Sequence, residues 1–295
     1  MKILLATDGS VYSDEAARFL TKLNLSADDE IVVLHALSWT PILSEWESLY
    51  ADFKEIRYEI APKILDATED ILKPVGARIT RLLVDGYADK VIIDTAGEKD
   101  ADLVVMGARG LRGATSLIVG SVTKAVAIKS PKPVLIIKTT EKKKAGNMKI
   151  LFATDGSVYS DAMGKVLASI PFPAGTELSI LNVTGTSFED IPERFVMEID
   201  DRIKKIVAGT RETEVKQSEK IIGKARGHLS RRFSNIEEMI RFGDPSLEIL
   251  NAAEKLNADI IAVGSSGMRG IRGLLGSVSR YILNHAPCSV LVGKH

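Results

Sequence analysis

A nearly perfect internal repeat constrains the fold of this chain more than any other feature of its sequence. Residues 1–14, MKILLATDGSVYSD, recur as residues 148–161, MKILFATDGSVYSD, with thirteen of the fourteen positions identical. Such a repeat indicates a duplication, so the two halves are expected to fold alike. A length of 295 residues also suits two domains better than one.

The boundary between the halves is expected in the polar stretch 139–147, which contains three consecutive lysines. We predict a first domain over residues 1–140, a linker over 141–147 and a second domain over 148–295. The lysine run could also form a binding patch, but a short solvated connector is the favoured interpretation.

Each half alternates apolar stretches of strand length with amphipathic stretches of helix length. Strands are predicted at 3–6, 31–36, 78–84, 102–106 and 134–138, and near 149–153, 177–183, 236–242, 259–263 and 289–292. Helices are predicted from a cap at Ser13 or Asp14 to about residue 23, at 59–75, at 87–96 and at 122–129. The charged stretch 192–233 is read as one long helix or as two with a break near Gly223 or Gly227. This alternation predicts an α/β fold in which each half is a five-stranded, parallel, doubly wound sheet.

A glycine-rich loop follows the fourth predicted strand of each half. It reads Gly107-Ala-Arg-Gly110, nine residues and then Gly120-Ser121, and its second copy begins at Gly264. Glycines allow close approach to a ligand, and the following helix N-terminus favours an anion. The spacing is neither that of a P-loop nor that of a dinucleotide fingerprint. One such loop could be a plain tight turn, but two copies favour a ligand loop.

A second distinctive turn, Thr-Asp-Gly-Ser, follows the first strand of each half and contains Asp8 or Asp155. If the first and fourth strands lie side by side where the winding reverses, this turn meets the glycine loop across one crevice. Aspartate is also a common turn residue, but the two identical turns favour a site.

The composition of the chain limits the kinds of partner that the protein is expected to bind. The formal net charge is zero, which argues against nucleic acid or an acidic membrane as a partner. No run of 18 apolar residues occurs and a strand is predicted from Lys2, so we expect no membrane partner and a cytoplasmic location. Four scattered histidines and the single Cys288, interpreted as a packing residue, show no metal-ligand spacing.

The combined motifs resemble those of the universal stress protein family, and the resemblance covers both halves. They are Ala-Thr-Asp-Gly-Ser at the first strand, Ala101-Asp-Leu-Val-Val-Met-Gly107, and G-x2-G-x9-G-S. The resemblance implies two tandem flavodoxin-like (HUP-type) domains, packed as a pseudo-dimer through the last strands at 134–137 and 290–292. It also implies that each domain holds ATP or AMP.

The resemblance further implies which residues contact the nucleotide. Asp8 would contact the adenosine or a Mg²⁺ ion on the phosphates, His35 and Ala36 would offer backbone bonds to adenine, and Met106 would pack on the ribose or base. In the first half the expected set is Ala6, Thr7, Asp8, Ala36, Met106, Gly107, Arg109, Gly110, Gly120, Ser121 and Val122. In the second half it is Thr154, Asp155, Val183, Val263, Gly264, Ser266, Gly267, Gly276, Ser277 and Val278.

The second glycine loop departs from the pattern, because only eight residues separate Gly267 from Gly276. We therefore expect the first half to bind more reliably. Four loop arginines have two possible roles, either a contact with phosphate or the solubility of an exposed loop. They are Arg109, Arg112, Arg269 and Arg272.

Three functions remain open from the sequence. The favoured one is an adenine-nucleotide-binding regulatory protein of the stress response, with no catalytic residues and at most slow ATP hydrolysis if Asp8 helps to hold Mg²⁺. A related nucleotide enzyme is disfavoured because its HxGH or SGGxDS signature is missing, and a non-nucleotide interaction module is the third. Residues 37–58, with Trp39 and Trp46, are a candidate lid or homodimer contact, although plain packing is favoured.

Overall fold

The computed structural model describes residues 1–37, 47–111, 119–139, 146–185, 201–267 and 275–294. In the first half the strands are β1 (Lys2–Thr7), β2 (Glu30–Leu37), β3 (Arg78–Asp85), β4 (Leu103–Gly107) and β5 (Val134–Ile137). The helices there are α1 (Val11–Leu20), α2 (Glu47–Leu72), α3 (Ala88–Glu98) and α4 (Ser121–Lys129).

The second half repeats this order. Its strands are β6 (Lys149–Ala153), β7 (Glu177–Thr184), β8 (Asn235–Phe242), β9 (Ile260–Val263) and β10 (Ser289–Val292). Its helices are α5 (Val158–Ser169), α6 (Asp201–Leu229), α7 (Pro245–Leu256) and α8 (Ser277–His285). The predicted α/β class and strand positions are confirmed. The domain boundaries drawn from the sequence stay a prediction, and most of the linker lies outside the described residues.

All ten strands join one sheet in the order β3-β2-β1-β4-β5-β10-β9-β6-β7-β8. Within each half the pairing is parallel, and β1 lies beside β4 as β6 lies beside β9. The halves meet where β5 pairs antiparallel with β10, with Ile136 opposite Val290. The predicted pseudo-dimer through the last strands is therefore confirmed, and its junction is continuous with the sheet of both halves.

The strand alternation fills two cores, one on each face of the sheet. In β1, Ile3 and Leu5 point to one core while Leu4 points to the other, and all three are fully buried. The first core lies under α1, α2, α5 and α6, and the second under α3, α4, α7 and α8. Both cores contain residues from the two halves, so the apolar interior runs through the junction. Because helices cover both faces of the sheet, the strands are continuous apolar runs in the sequence.

The outer edges of the sheet, β3 and β8, carry charged residues. Arg81 of β3 pairs with Asp66 and Glu69 of α2. Glu238 of β8 accepts from Arg226 of α6 at 2.7 Å. Charge on an edge strand discourages pairing with a further strand. The homodimer that the sequence left open stays a prediction.

Two details of the predicted helices need correction, and an alternative left open for a third helix is decided. The cap of α1 is Ser10, not Ser13 or Asp14, because Ser10 is extended and its side chain accepts from the Ser13 amide. The second helix begins at Glu47 rather than at 59, so residues 47–58 of the segment considered as a lid or dimer contact are helical. Trp39 and Trp46 lie outside the described residues. Over residues 201–229 α6 is continuous, without a break at Gly223 or Gly227.

Candidate functional site

Each half has a cavity at the carboxyl ends of its central strands, where the winding of the sheet reverses. The first encloses about 810 Å³ and the second about 440 Å³. Every site residue predicted from the sequence lines the cavity of its own half, the eleven of the first half and the ten of the second. The structure thus brings the predicted residues together; their contact with a ligand stays a prediction.

The turn after β1 is held by its own side chains. The Thr7 hydroxyl lies 3.2 Å from the Ser13 Oγ and 3.1 Å from the Thr68 Oγ1. The Asp8 Oδ1 accepts from the Ser10 amide at 3.1 Å. Gly9 has a φ of 75°, a conformation that side chains other than glycine rarely adopt. The first strand therefore ends in a fixed turn that presents Asp8 to the cavity.

The second half builds the same turn after β6. The Thr154 hydroxyl lies 3.1 Å from the Ser160 Oγ, and the Asp155 Oδ1 accepts from the Ser157 amide at 3.0 Å. Gly156 has a φ of 77°. The turn geometry is therefore the same in the two halves, as the repeated sequence predicts.

Asp8 also joins the two loops of the first site. Its Oδ2 accepts from the Leu111 amide at 3.1 Å, just beyond the second glycine of the loop. That glycine is required, because a Cβ on Gly110 would collide with the Asp8 Oδ2. In the second half a Cβ on Gly267 would lie 2.9 Å from the Asp155 Oδ2. The aspartate and the glycine loop therefore form one unit, which gives Asp8 a structural function as well.

The helices that follow the loops begin with glycine caps. Gly120 caps α4 and Gly276 caps α8, and neither offers a side-chain oxygen to the amides of the first turn. The first amides of a helix have no partner within it, and here they begin at the cavity-lining Ser121 and Ser277. Together with the positive end of the helix dipole, they form a setting that favours an anion.

One hydroxyl in each helix ties it to the preceding strand. The Thr123 Oγ1 donates to the Gly107 carbonyl at 3.0 Å, and the Ser279 Oγ donates to the Gly264 carbonyl at 2.7 Å. Both hydroxyls are buried. They fix the helix N-terminus relative to the strand end, so the position of the anion-binding amides is set by the sheet.

The second strand of each half supplies a polar side chain whose contact was not predicted from the sequence, which named only the backbone of His35. The His35 Nδ1 lies 2.8 Å from the Thr7 carbonyl, and the Asn182 Nδ2 donates to the Thr154 carbonyl at 2.7 Å. The side chain of each residue orients the turn before the aspartate. Matching the second strands of the two repeats would have found this pair, because both residues are polar within apolar strands.

Sequence reasoning also missed a wall of the first cavity. Arg57, Ile60 and Ile64 of α2 line it, along with Ile92 of α3. The spacing of the α2 residues puts them on one helix face, which is the signal that would have found them. In the second cavity Pro245 and Ile249 of α7 add apolar contacts.

Arg109 is the described loop arginine, and it lines the first cavity. Its guanidinium lies 5.8 Å from the centre of the Tyr12 ring. Its charge also acts on Lys138, whose pKa is lowered to about 8 mainly by burial, with a smaller contribution from Arg109 in the same direction. Arg112, Arg269 and Arg272 lie outside the described residues, as does the segment 268–274 of the shorter loop.

Among the described residues, no three His, Cys, Asp or Glu side chains are grouped to hold a metal ion. Of the helices that are described, none combines the length and the apolar character needed to cross a bilayer.

The chain is thus a tandem, doubly wound α/β protein with one crevice beside a glycine loop in each half, and this crevice is where folds of the doubly wound class bind their ligands. The model of the universal stress protein family matches residues 1–138 and 146–294. The chain therefore belongs to the universal stress protein family and carries two copies of its domain.

Individual relatives match about half of the chain each. Universal stress protein MJ0531 of Methanocaldococcus jannaschii is 30% identical over 146 residues, which cover 48% of this chain and 84% of that protein. Universal stress protein YxiE of Bacillus subtilis is 30% identical over 154 residues, covering 49% and 97%. A solved universal stress protein from Archaeoglobus fulgidus covers 100% of this chain and 96% of its own, with a TM-score of 0.64 at 22% identity. That structure shows the same tandem fold.

Proposed function

We propose that this protein is a regulatory stress-response protein that binds an adenine nucleotide, ATP or AMP, in the crevice of each half. The observation that carries the proposal is the glycine-capped N-terminus of α4, which faces the Asp8 turn across one cavity. Membership of the universal stress protein family supports it. The phosphates would lie at the amides of Ser121 and Val122.

The lining of the first cavity also suits a base and a ribose. Leu34 and Ala36 of β2, Ile92 of α3 and Met106 of β4 give it an apolar surface. Ligand cavities commonly combine such an apolar surface with a few placed polar groups. The cavity therefore offers a chemical complement to both the phosphates and the nucleoside of a nucleotide.

Mg²⁺ would enter with the nucleotide. Asp8 is the one carboxylate among the described residues that line the first cavity, and its oxygens keep lone pairs beyond the two amides they accept. Mg²⁺ commonly takes one or two carboxylates and completes its shell with phosphate oxygens and water. Asp8 fits that use as a single protein ligand.

Binding and release, not turnover, would be the activity of this site. The His35 ring is engaged with the Thr7 carbonyl, so its Nδ1 is not presented to a reacting group. Phosphate release from ATP with Mg²⁺ or Mn²⁺ tests this directly. A steady-state rate of about 1 s⁻¹, the low end of ordinary enzymes, would contradict it.

Ser121→Asp is expected to weaken ATP binding at the first site by roughly tenfold or more, because a carboxylate at the helix start occupies the anion position. The same charge stabilises the helix, so the fold is kept. Titration calorimetry of ligand-free protein with ATP, ADP and AMP measures the change, and Ser277→Asp is the equivalent variant of the second site.

Ser121→Asn is the matched control, since it keeps the size without the charge and should bind as the parent protein does. Thermal unfolding of each variant checks that the fold is intact. If the parent protein gives no heat with any of the three nucleotides at millimolar concentration, the proposed function is wrong.

A further inference from the structure

The helices α2 and α6 dock on the two sites in the same register. A Cβ on Gly9 would lie 3.1 Å from the Ile64 Cγ1, and a Cβ on Gly156 would lie 2.9 Å from the Ile221 Cγ1. Each isoleucine thus covers the glycine of the turn that presents the site aspartate. Positions on α2 and α6 can therefore be compared residue by residue from this pair.

In that register the charge at the position of Arg57 is reversed in the second half. Arg57 lies seven positions before Ile64, and the residue seven positions before Ile221 is Glu214. Ile60 corresponds in the same way to Gln217. Arg57 and Ile60 line the first cavity, whereas none of the described residues of α6 lines the second.

One position of the glycine loops, directly before the second glycine, differs in the same direction. Arg109 lies between Gly107 and Gly110, and the corresponding residue between Gly264 and Gly267 is Ser266. Both residues line their cavities. The first loop therefore adds a second cation where the second loop offers a hydroxyl.

The two cavities differ both in the charge of their lining and in their volume. The described lining of the first cavity contains two arginines and Asp8 in about 810 Å³. The described lining of the second contains Asp155 and no lysine, arginine or histidine, in about 440 Å³. A cationic, larger cavity favours a ligand with more phosphate, and a smaller cavity with a carboxylate disfavours it.

We propose that the two sites select adenine nucleotides by phosphate number, the first taking the triphosphate and the second the monophosphate. This inference rests on the proposed function, since both ligands are nucleotides at the crevices already described. Arg57 is the specificity-determining residue of the first site. It is exposed at the cavity wall, so the preference for ATP should weaken as salt rises.

The test uses the full chain with one site disabled at a time. Ser277→Asp leaves the first site to be titrated with ATP and AMP, and Ser121→Asp leaves the second. We expect the first site to bind ATP roughly tenfold more tightly than AMP and the second to bind AMP at least as tightly as ATP. Adding Arg57→Glu to the first protein should remove most of its ATP preference and change AMP affinity little.

Lys63→Glu is the matched control, because Lys63 is an exposed cation of α2 that does not line the cavity. It changes the net charge as Arg57→Glu does, so only a local contact separates the two variants. If both sites bind nucleotides with the same ratio of ATP to AMP affinity, the selection is wrong and the proposed function stands. If Lys63→Glu lowers the ATP preference of the first site as strongly as Arg57→Glu does, the overall charge of the chain determines that preference and Arg57 does not. If neither site binds any nucleotide, the proposed function fails first.

Discussion

Gly107→Ala is expected to lower the free energy of unfolding by about 3 kcal/mol, the upper part of the range for overpacking a closed core. A Cβ at this position would lie 2.6 Å from the carbonyl carbon and oxygen of Tyr12. These are backbone atoms in the first turn of α1, so no side-chain rotation relieves the contact. The helix or the strand end must move, and the site turn would move with it.

The equivalent change in the second half should be milder. A Cβ on Gly264 would lie 3.0 Å from the Tyr159 carbonyl carbon and 3.1 Å from the Ser160 nitrogen, so a shift of a few tenths of an ångström suffices. Gly264→Ala is expected to cost about 1 kcal/mol. Urea unfolding followed by circular dichroism compares the two variants directly.

Gly223→Ala serves as the control for these two changes. A Cβ there meets nothing within 4 Å, and the position is interior to α6. Alanine in an open helix position is more favourable than glycine by up to about 1 kcal/mol. If Gly107→Ala were as stable as Gly223→Ala, the close approach of α1 to β4 would not be a real constraint.

Removal of two partly buried lysines, Lys138 and Lys294, is expected to flatten the pH dependence of stability above pH 8. The Lys138 ammonium lies 3.1 Å from the Leu283 carbonyl and 2.7 Å from the Ala286 carbonyl, at the end of α8. The Lys294 ammonium lies 2.7 Å from the Ala127 carbonyl and 3.0 Å from the Ile128 carbonyl, in the last turn of α4. Each lysine thus reaches from one half to a helix C-terminus of the other.

Burial lowers the pKa of each lysine from 10.5 to about 8 in the folded chain, with Arg109 acting in the same direction on Lys138 and Cys288 against it. Below about pH 8 each lysine is charged in both states, and the cost of burying that charge is fully present. Between about pH 8 and 10.5 the unfolded chain holds protons that the folded chain has released, so the free energy of unfolding rises with pH. The rise is at most about 3 kcal/mol for each lysine.

The double variant Lys138→Met/Lys294→Met should lose this rise relative to the parent protein. Urea unfolding at several pH values between 7 and 10.5 measures it, and the difference between the two proteins cancels the other titrating groups. Lys22→Met, at an exposed position, is the control and should keep the slope. Parallel curves for the parent and the double variant would show that the two ammonium groups are not buried in solution.

Patterns with a local physical cause could be predicted from the sequence. The apolar runs that became β1 and β4 are buried on both faces, and such strands read as continuous apolar segments. The convergence of Asp8 with the Gly107 loop followed from parallel topology alone, since neighbouring strand ends share one edge of the sheet. The pairing of β5 with β10 followed from two apolar strands that each needed a partner.

What could not be predicted depends on contacts between distant segments. Helix α2 begins well before residue 59, because the length of a helix is set by packing as well as by propensity. Arg57 belongs to no sequence motif. Its position at the first cavity is evident only once the packing of Ile64 against Gly9 has placed α2 on the site. The carbonyl partners of Lys138 and Lys294 lie on the opposite half, more than 140 positions away in each case. No local signal reports such distant contacts.

The antiparallel junction of β5 with β10 has a consequence for how the two sites can diverge in sequence. In a pair of identical subunits, any substitution appears on both sides of the two-fold axis, so the two pockets must change together. A single polypeptide that supplies both strands of the junction removes this symmetry, because β5 and β10 are encoded separately. One half is then free to drift toward another ligand while its neighbour is held to the original, and every molecule still carries the two in a one-to-one ratio.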